Sequence, residues 1–543
     1  MSSQSQTSRM LMGGDFLLND SSTPGVRIHP EIRKLLPKIF EECRDFGLDY
    51  YPTIIEFCTY ADISELAAYG GFPVRYNHWS FGMEYEELSR GFEHGRHRIY
   101  EMVVNSNPSI IYCLDSNTIL ENVKVICHAL GHNDFFKNNT FFKGTNTDIL
   151  NKFTNHRNRI RKYMSRWGKE TVTEFIDHVL RLNNLIDRTK EWKAKPAKKM
   201  DVQDKKETME YERRRYTHEY MDEWVNNDEY LRREKKRIEK EEASLDLEIF
   251  QNPEKDILGY LKDHAPLKAW QQDVVSMLYE EALYFAPQFL TKVINEGWAS
   301  YVDYKLMCGR GLTGLGQKTA DGGIVEYAKN KAGILGHQWS QNPYKLGFEL
   351  FMDIEDRWNR GRFGTEYDEC DDMLKRQEWN TNTGLGHEKV FEVRQCYNDL
   401  TLINEFFTPE FFEKMKYYEA QKFPSSNPEH EYEWRIVNRD YKKIKETLLA
   451  RHTNGGEPDI RLVDPNHKNN GTLLLQHYPD GRTLYHKYAI ETMKSLAALW
   501  KKQVVLATAE EDGTETVYVS VPSSSGDQFV DQMTREKYDS LEN

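Results

Sequence analysis

The sequence has little of what most readily gives away a protein's chemistry. Its seven cysteines (Cys43, Cys58, Cys113, Cys127, Cys308, Cys370 and Cys396) are scattered through 543 residues with no CxxC pair. Neither a disulfide framework nor a cysteine-rich zinc knuckle is indicated, and a reducing compartment is expected. No run of about 18 apolar residues occurs, which excludes an ordinary membrane-spanning helix. The opening MSSQSQTSRMLMGGDF has no basic segment leading into a sustained apolar stretch, so no secretory signal is visible and a cytoplasmic location is expected. A positive balance is missing as well: 86 acidic residues outnumber 73 basic ones, for a net charge of −13. That argues against a chain whose main task is gripping phosphate backbones, and no nucleic-acid partner is expected.

What is present is aromatic. Apolar residues make up only 39% of the chain, but 31 Tyr, 26 Phe and 11 Trp supply large areas for burial at modest side-chain entropy cost. A chain this long exceeds one hydrophobic core, so two or three domains are expected. Residues 1–28 are polar and Ser-rich and read as a disordered tail. Residues 29–187 read as a helical block with aromatic loops. From 188 to 250 Lys, Arg and Glu dominate, as in YERRRYTHEYMDEW and LRREKKRIEKEEAS, which reads as a solvated helix or flexible connector. A second helical block, 251–423, is expected to pack on the first.

Residues 424–521 read as an α+β module. Ile460–Val463 and Thr472–His477 look like strands, and Pro479-Asp480-Gly481 is a turn signal. Ala489, Met493, Leu496 and Trp500 recur at helical spacing as one apolar stripe. Val504–Thr508 and Thr516–Val521 then flank an Asp512-Gly513 turn, completing a ββαββ pattern. Residues 522–543 read as a disordered tail. The expected fold class is mainly α, a multi-helix globular core with a small C-terminal α+β module.

Two segments carry the strongest chemical signal. In Val125-Ile-Cys-His128-Ala-Leu-Gly-His132, two histidines four apart share a helical face, the spacing by which zinc hydrolases present two imidazoles to one ion. Thr118-Ile-Leu-Glu121 is a capping box that starts this helix. Its main apolar stripe is Ile119, Val123, Ile126 and Leu130, so the pair faces nearly the opposite way, toward solvent or a second packed surface. An HxxxH pair alone is weak evidence, and the glutamate that follows the first histidine in HExxH enzymes is absent.

The second segment is Thr291-Lys-Val-Ile-Asn-Glu296-Gly-Trp-Ala-Ser-Tyr301. A glutamate from a later helix is the usual third ligand beside such a pair. Glu296 and Asp303 share a face but lie about 10 Å apart along the axis, so one ion can hardly take both, and Glu296 is the choice. Its plain alternative is a buried hydrogen-bond acceptor or a surface charge. Glu281 sits in the apolar stripe Val274, Leu278, Phe285, where a carboxylate needs a cation, a metal or a proton. Glu281 and Glu101 are the acid/base candidates, with a structural salt bridge as the competing role for Glu281. His78, Asn105, Asn107 and Asp303 are further candidates for a cleft.

The motifs YNHWSFG, YEMVVNSNP, HALGHNDFFKNN, YEEALYFAPQ, TKVINEGWASY, NPYKLGFELFMDIEDRWNRGRFG and LLLQHYPDGRTL resemble, in order, the landmarks of the SpoVR (stage V sporulation protein R) family. The resemblance covers roughly residues 37–508 and is weakest in the charged insert. It implies a bacterial cytosolic protein linked to late sporulation, at spore cortex formation, or to stationary-phase stress. It also implies association with a PrkA-type serine protein kinase and a von Willebrand factor A-like protein, but no established reaction. Relatives carry His where this chain has Asp303 and Lys331, which puts an unaltered metal site in doubt. Two functions are therefore expected to compete. One is a metal-dependent hydrolase built on His128, His132 and Glu296, with a divalent metal, zinc first. The other is a regulatory or scaffold protein working with the kinase.

Overall fold

Short β-branched runs and longer amphipathic stretches sort this chain into two compact units, Met1–Thr173 with Leu283–Glu457, and Glu174–Ala282 with Pro458–Asn543. The computed structural model describes residues 9–12, 16–19, 28–93, 101–190, 253–312, 320–335, 342–424, 432–510, 513–521 and 529–540. The charged insert lies almost wholly outside these described residues.

The first unit holds a five-stranded sheet in the order β1-β2-β3-β5-β4. Its strands are β1 (Arg9–Met12), β2 (Phe16–Asn19), β3 (Thr53–Cys58), β4 (Glu101–Val104) and β5 (Ser109–Leu114). β3 runs parallel to both β2 and β5, with Ile55 opposite Leu18 and Ile111, while the outer pairs are antiparallel. TIIEFC and SIIYCL are short runs of β-branched and aromatic residues, which fit a pleated surface buried on both faces.

This sheet departs from the sequence reading twice. The block after residue 28 is not purely helical, and part of the expected disordered tail is built into it. Phe16 and Leu18 are buried. Four-residue strands in a Ser-rich setting are too short to show a period, and their partner lies some 35 residues further along.

Beside the sheet, one core gathers Phe40, Trp298, Tyr301, Phe351 and Phe406. Four helices surround it: Pro30–Phe46, Ile119–Asn138 (the histidine helix), Lys292–Tyr304 (the carboxylate helix) and Pro343–Asn359. The last two touch through backbone. A Cβ on Gly347 would stand 2.2 Å from the Val293 carbonyl oxygen, and one on Gly297 would stand 2.5 Å from Gly347. Only glycine allows that approach. The hairpin β6 (Glu419–Pro424) and β7 (Tyr432–Asn438) and the helix Tyr441–His452 also belong to this unit. The C-terminal module thus begins near residue 458 rather than 424.

In the second unit β8 (Asp459–His467), β9 (Thr472–Tyr478), β10 (Val504–Ala509), β11 (Glu515–Val521) and β12 (Phe529–Thr534) form a sheet in the order β12-β11-β10-β9-β8. β9 and β10 are parallel, and the helix His486–Trp500 joins them. The ββαββ pattern is present, with Ala489, Met493, Leu496 and Trp500 buried as one stripe. Where a disordered tail was expected, β12 pairs along β11 and a short helix, Arg535–Ser540, buries Tyr538 against the sheet. The apolar Val530 and Met533 were too sparse to mark a strand. No helix among the described residues is long and apolar enough to cross a membrane.

Candidate metal centre

The histidine helix begins at its capping box: the Thr118 hydroxyl accepts from the Glu121 amide, and the Glu121 carboxylate accepts from the Thr118 amide. From Asn122 to Phe136 every residue is buried. The face opposite the apolar stripe therefore meets a second packed surface, and the polar groups on it need partners. Asn133 exchanges hydrogen bonds with the Tyr51 backbone. Asp134 accepts from Trp298 Nε1 at 3.0 Å and the Asp49 amide at 2.8 Å, beside Arg394. Burial pushes the Asp134 carboxyl up to about 6, against the pull of Arg394.

Small residues bring the carboxylate helix alongside. A Cβ on Gly131 would lie 3.0 Å from Ala299 Cα, so the two helices cross closely between the histidines on one and Glu296 on the other. The imidazoles stand 4.7 Å apart, ring centre to ring centre. His132 Nε2 is 3.4 Å and His128 Nε2 3.6 Å from the same oxygen, Glu296 Oε2. That oxygen is buried and accepts no hydrogen bond among the described residues. Burial alone would raise the Glu296 carboxyl, but the two histidines outweigh it and hold it well below the usual carboxylate range.

The far nitrogens are held as well. His128 Nδ1 lies 3.1 Å from Asp303 Oδ2, and His132 Nδ1 lies 2.8 Å from Asn295 Oδ1. Oxygen acceptors at Nδ1 suit a proton there, which would leave each Nε2 available to an ion beside Glu296. Asp303 is itself positioned by the Tyr327 hydroxyl at 2.5 Å and the Lys331 ammonium at 2.9 Å. Burial would raise its pKa, and Lys331 with His128 drives it well below the ordinary range instead. Asp303 and Lys331 thus pair with each other, behind His128.

The donor set fits a divalent ion. One atom from each of His128, His132 and Glu296 lies within 4.8 Å of the others. With metal–ligand bonds of about 2.0–2.1 Å, a tetrahedral centre places neighbouring donors about 3.4 Å apart, close to the two separations seen. The orphaned Glu296 oxygen is then accounted for. A cleft of about 380 Å³ opens onto His132, Asn295 and Glu296. Its walls are Met102, Val103, Phe136, Phe285 and Phe289, with Gln288, Lys292 and Tyr344 as the polar additions.

Of the other sequence candidates whose side chains are described, none is among the residues lining this cleft. Glu101 opens β4, and its side chain lies outside the described ones. Glu281 is buried and falls in the second unit. His78 is buried against Ser80, Tyr76 and Phe81. Asn105 bonds Thr145, and Asn107 is exposed in a turn. The sequence reading missed Asn295, Tyr327, Lys292 and Tyr344. Tyr344, whose ring lies 6.2 Å from that of His128 and nearly parallel to it, stood in plain view in the NPYKLG motif. The paired small residues in HALGH, EGWAS and YKLG were the signal that these helices approach.

Family models described as SpoVR like protein and SpoVR-like C-terminal domain match residues 28–457 and 458–511. Their junction coincides with the last of the boundaries between the two compact units, although the first family model also spans residues 174–282 of the second unit. The chain is similar to the uncharacterized protein YcgB of Escherichia coli (strain K12), at 26% identity over 510 residues, spanning 90% of this chain and 94% of that protein. No solved structure matches it.

Proposed function

The chain belongs to the SpoVR family, and from that premise and the geometry of its histidine–carboxylate cluster we propose that it is a metal-dependent hydrolase. The observation that carries this reading is the convergence of two imidazole Nε2 atoms on one buried carboxylate oxygen that has no hydrogen-bond donor among the described residues. His128, His132 and Glu296 would hold the ion, and two nitrogens with one oxygen favour zinc. A divalent ion there supplies Lewis-acid polarisation of a carbonyl or phosphoryl oxygen and a water acidic enough to act near neutral pH.

The protein's own contribution is orientation. Asp303 and Asn295 fix the two rings, and the aromatic walls limit water at the cleft floor. We assign proton handling to the Tyr344 hydroxyl, which lines the cleft. We place this activity in the bacterial cytoplasm, in sporulation or stationary-phase stress, beside a PrkA-type serine kinase and a von Willebrand factor A-like protein.

The test is elemental analysis of the purified full chain. Stoichiometric zinc, manganese or iron is expected, lost in His128→Ala while the fold is kept. Protein that is metal-free and cannot be loaded would overturn the reading. One observation favours a second, a scaffold for the kinase: Tyr432, Trp434 and Ile436 alternate along β7 and are all exposed. Metal-free protein that binds the kinase normally and loses binding in Trp434→Ala would support it.

A further inference from the structure

Lys292 and Glu296 are one turn apart on the carboxylate helix, the spacing at which lysine and glutamate ordinarily pair. Here they do not. Glu296 turns inward to the histidines, and Lys292, exposed at the rim of the cleft, makes no side-chain hydrogen bond or ion pair among the described residues. Among the described residues Glu296 is the one acidic group on the cleft wall, and its Oε2 faces the two imidazole Nε2 atoms at 3.4 and 3.6 Å. The remaining wall is mostly apolar: Phe136 and Phe285 with the half-exposed Phe289 at the mouth. A concave apolar surface with one uncommitted cation at its edge is complementary to an amphiphilic anion.

We propose that the cleft binds an anion carrying an apolar group, with a carboxylate or phosphate head on Lys292 and the apolar part against Phe136, Phe285 and Phe289. This rests on the metal reading only for which part of the ligand faces Glu296. The head group could be either acid. Both are planar or tetrahedral oxyanions that a lysine meets as a point charge, and the probes below separate them.

The test is a ligand-observed NMR titration of the full chain, metal-free and zinc-loaded, with 4-phenylbutyrate, phenylphosphonate and the neutral 4-phenylbutyramide. The metal-free arm is needed because zinc binds either acid unaided. There, at least one acid is expected to bind about fivefold more tightly than the amide, the range of a single exposed ion pair. A preference confined to one acid identifies its head group as the natural one. Lys292→Gln should abolish the preference with the circular dichroism spectrum unchanged, and Phe289→Ala should weaken acid and amide alike. Equal affinity for both acids and the amide in the wild type, or a preference that survives Lys292→Gln, would overturn the proposal. Zinc binding without this discrimination sinks only the anion proposal. Discrimination in a protein that never holds metal sinks only the hydrolase.

Discussion

The histidine helix of the first unit and the helix His486–Trp500 of the second are buried to different extents. The second lays one stripe, Ala489, Met493, Leu496 and Trp500, on its sheet, with its first turn exposed and Ile490, Glu491, Thr492, Lys494 and Ala498 only partly buried. Its partly exposed polar residues pair locally, Lys494 with Glu491 at 2.8 Å, and its contacts with distant residues, Glu491 to Arg181 and Ser495 to His178, each involve a partly exposed group. The histidine helix is buried all round. Its polar residues reach partners 80 to 175 residues away: Asn133 to Tyr51, His132 to Asn295, His128 to Asp303. Buried polar groups matched by remote partners cost desolvation that an apolar residue would avoid. A chain that keeps several on one helix carries a cost there that the second helix avoids.

The largest test of that contrast is Gly347→Ala. The added methyl meets backbone on both sides, the Val293 carbonyl and Gly297, neither of which can rotate away. It should cost about 3 kcal/mol, at or above the upper end for overpacking. It should also separate the carboxylate helix from its neighbour and so displace Glu296. Thermal unfolding of the first unit measures the stability, and metal retention measures the displacement. Lys494→Gln on the second helix should stay within about 0.5 kcal/mol, since its pair is solvated. Comparable losses from the two would break the comparison.

Next in size is Asp303→Asn. The amide oxygen can still accept from His128 Nδ1, but the charge that balances the buried Lys331 is gone. Orienting groups of this kind are worth roughly 10–100-fold in metal affinity. A competition titration against a zinc chelator should show a loss of that order, compared with complete loss in His128→Ala. An unchanged affinity would mean that Asp303 is an ordinary structural acid and does not tune the site.

These differences also explain what could be read without coordinates. The stripe on His486–Trp500 and the strands around it were legible because each signal is local: a period of 3.6 or 2, bounded by turns. The HxxxH pair and Glu296 were legible as residue types at a spacing. Their partners were not, because the acceptors for the histidines come from a different helix and no local pattern specifies them. Asn295 sat next to the chosen glutamate and went unnoticed for that reason. The first unit's sheet was hidden similarly. Its strands are scattered from Arg9 to Leu114, and its edge is a pair of four-residue strands.

The smallest expected effect is one of pH, and it sharpens the comparison from the side of the second unit. His477 is buried on β9 with its Nδ1 2.8 Å from the Thr508 hydroxyl, and His178, also in this unit, faces Ser495. Burial lowers the pKa of both. Around His477, Asp480, Asp459 and Glu510 pull it upward and Arg482 downward without reversing the sign. A histidine with its folded pKa depressed is neutral in the native state while the unfolded chain still takes up a proton. Stability is therefore full above the ordinary imidazole value of 6.5, and falls as pH drops below it until the folded pKa is reached. Asp459 and Asp480, whose pKa values are lowered, lose their contribution only further into acid. Hydrogen exchange of β9 and β10 peptides between pH 7 and 5.5, corrected for the intrinsic rate, should show protection falling. His477→Gln, which keeps a hydrogen-bonding partner for Thr508 but cannot titrate, should flatten that slope. A slope that persists in the variant would assign the effect to His178, and protection that rises toward pH 5.5 would show that burial does not control either ring.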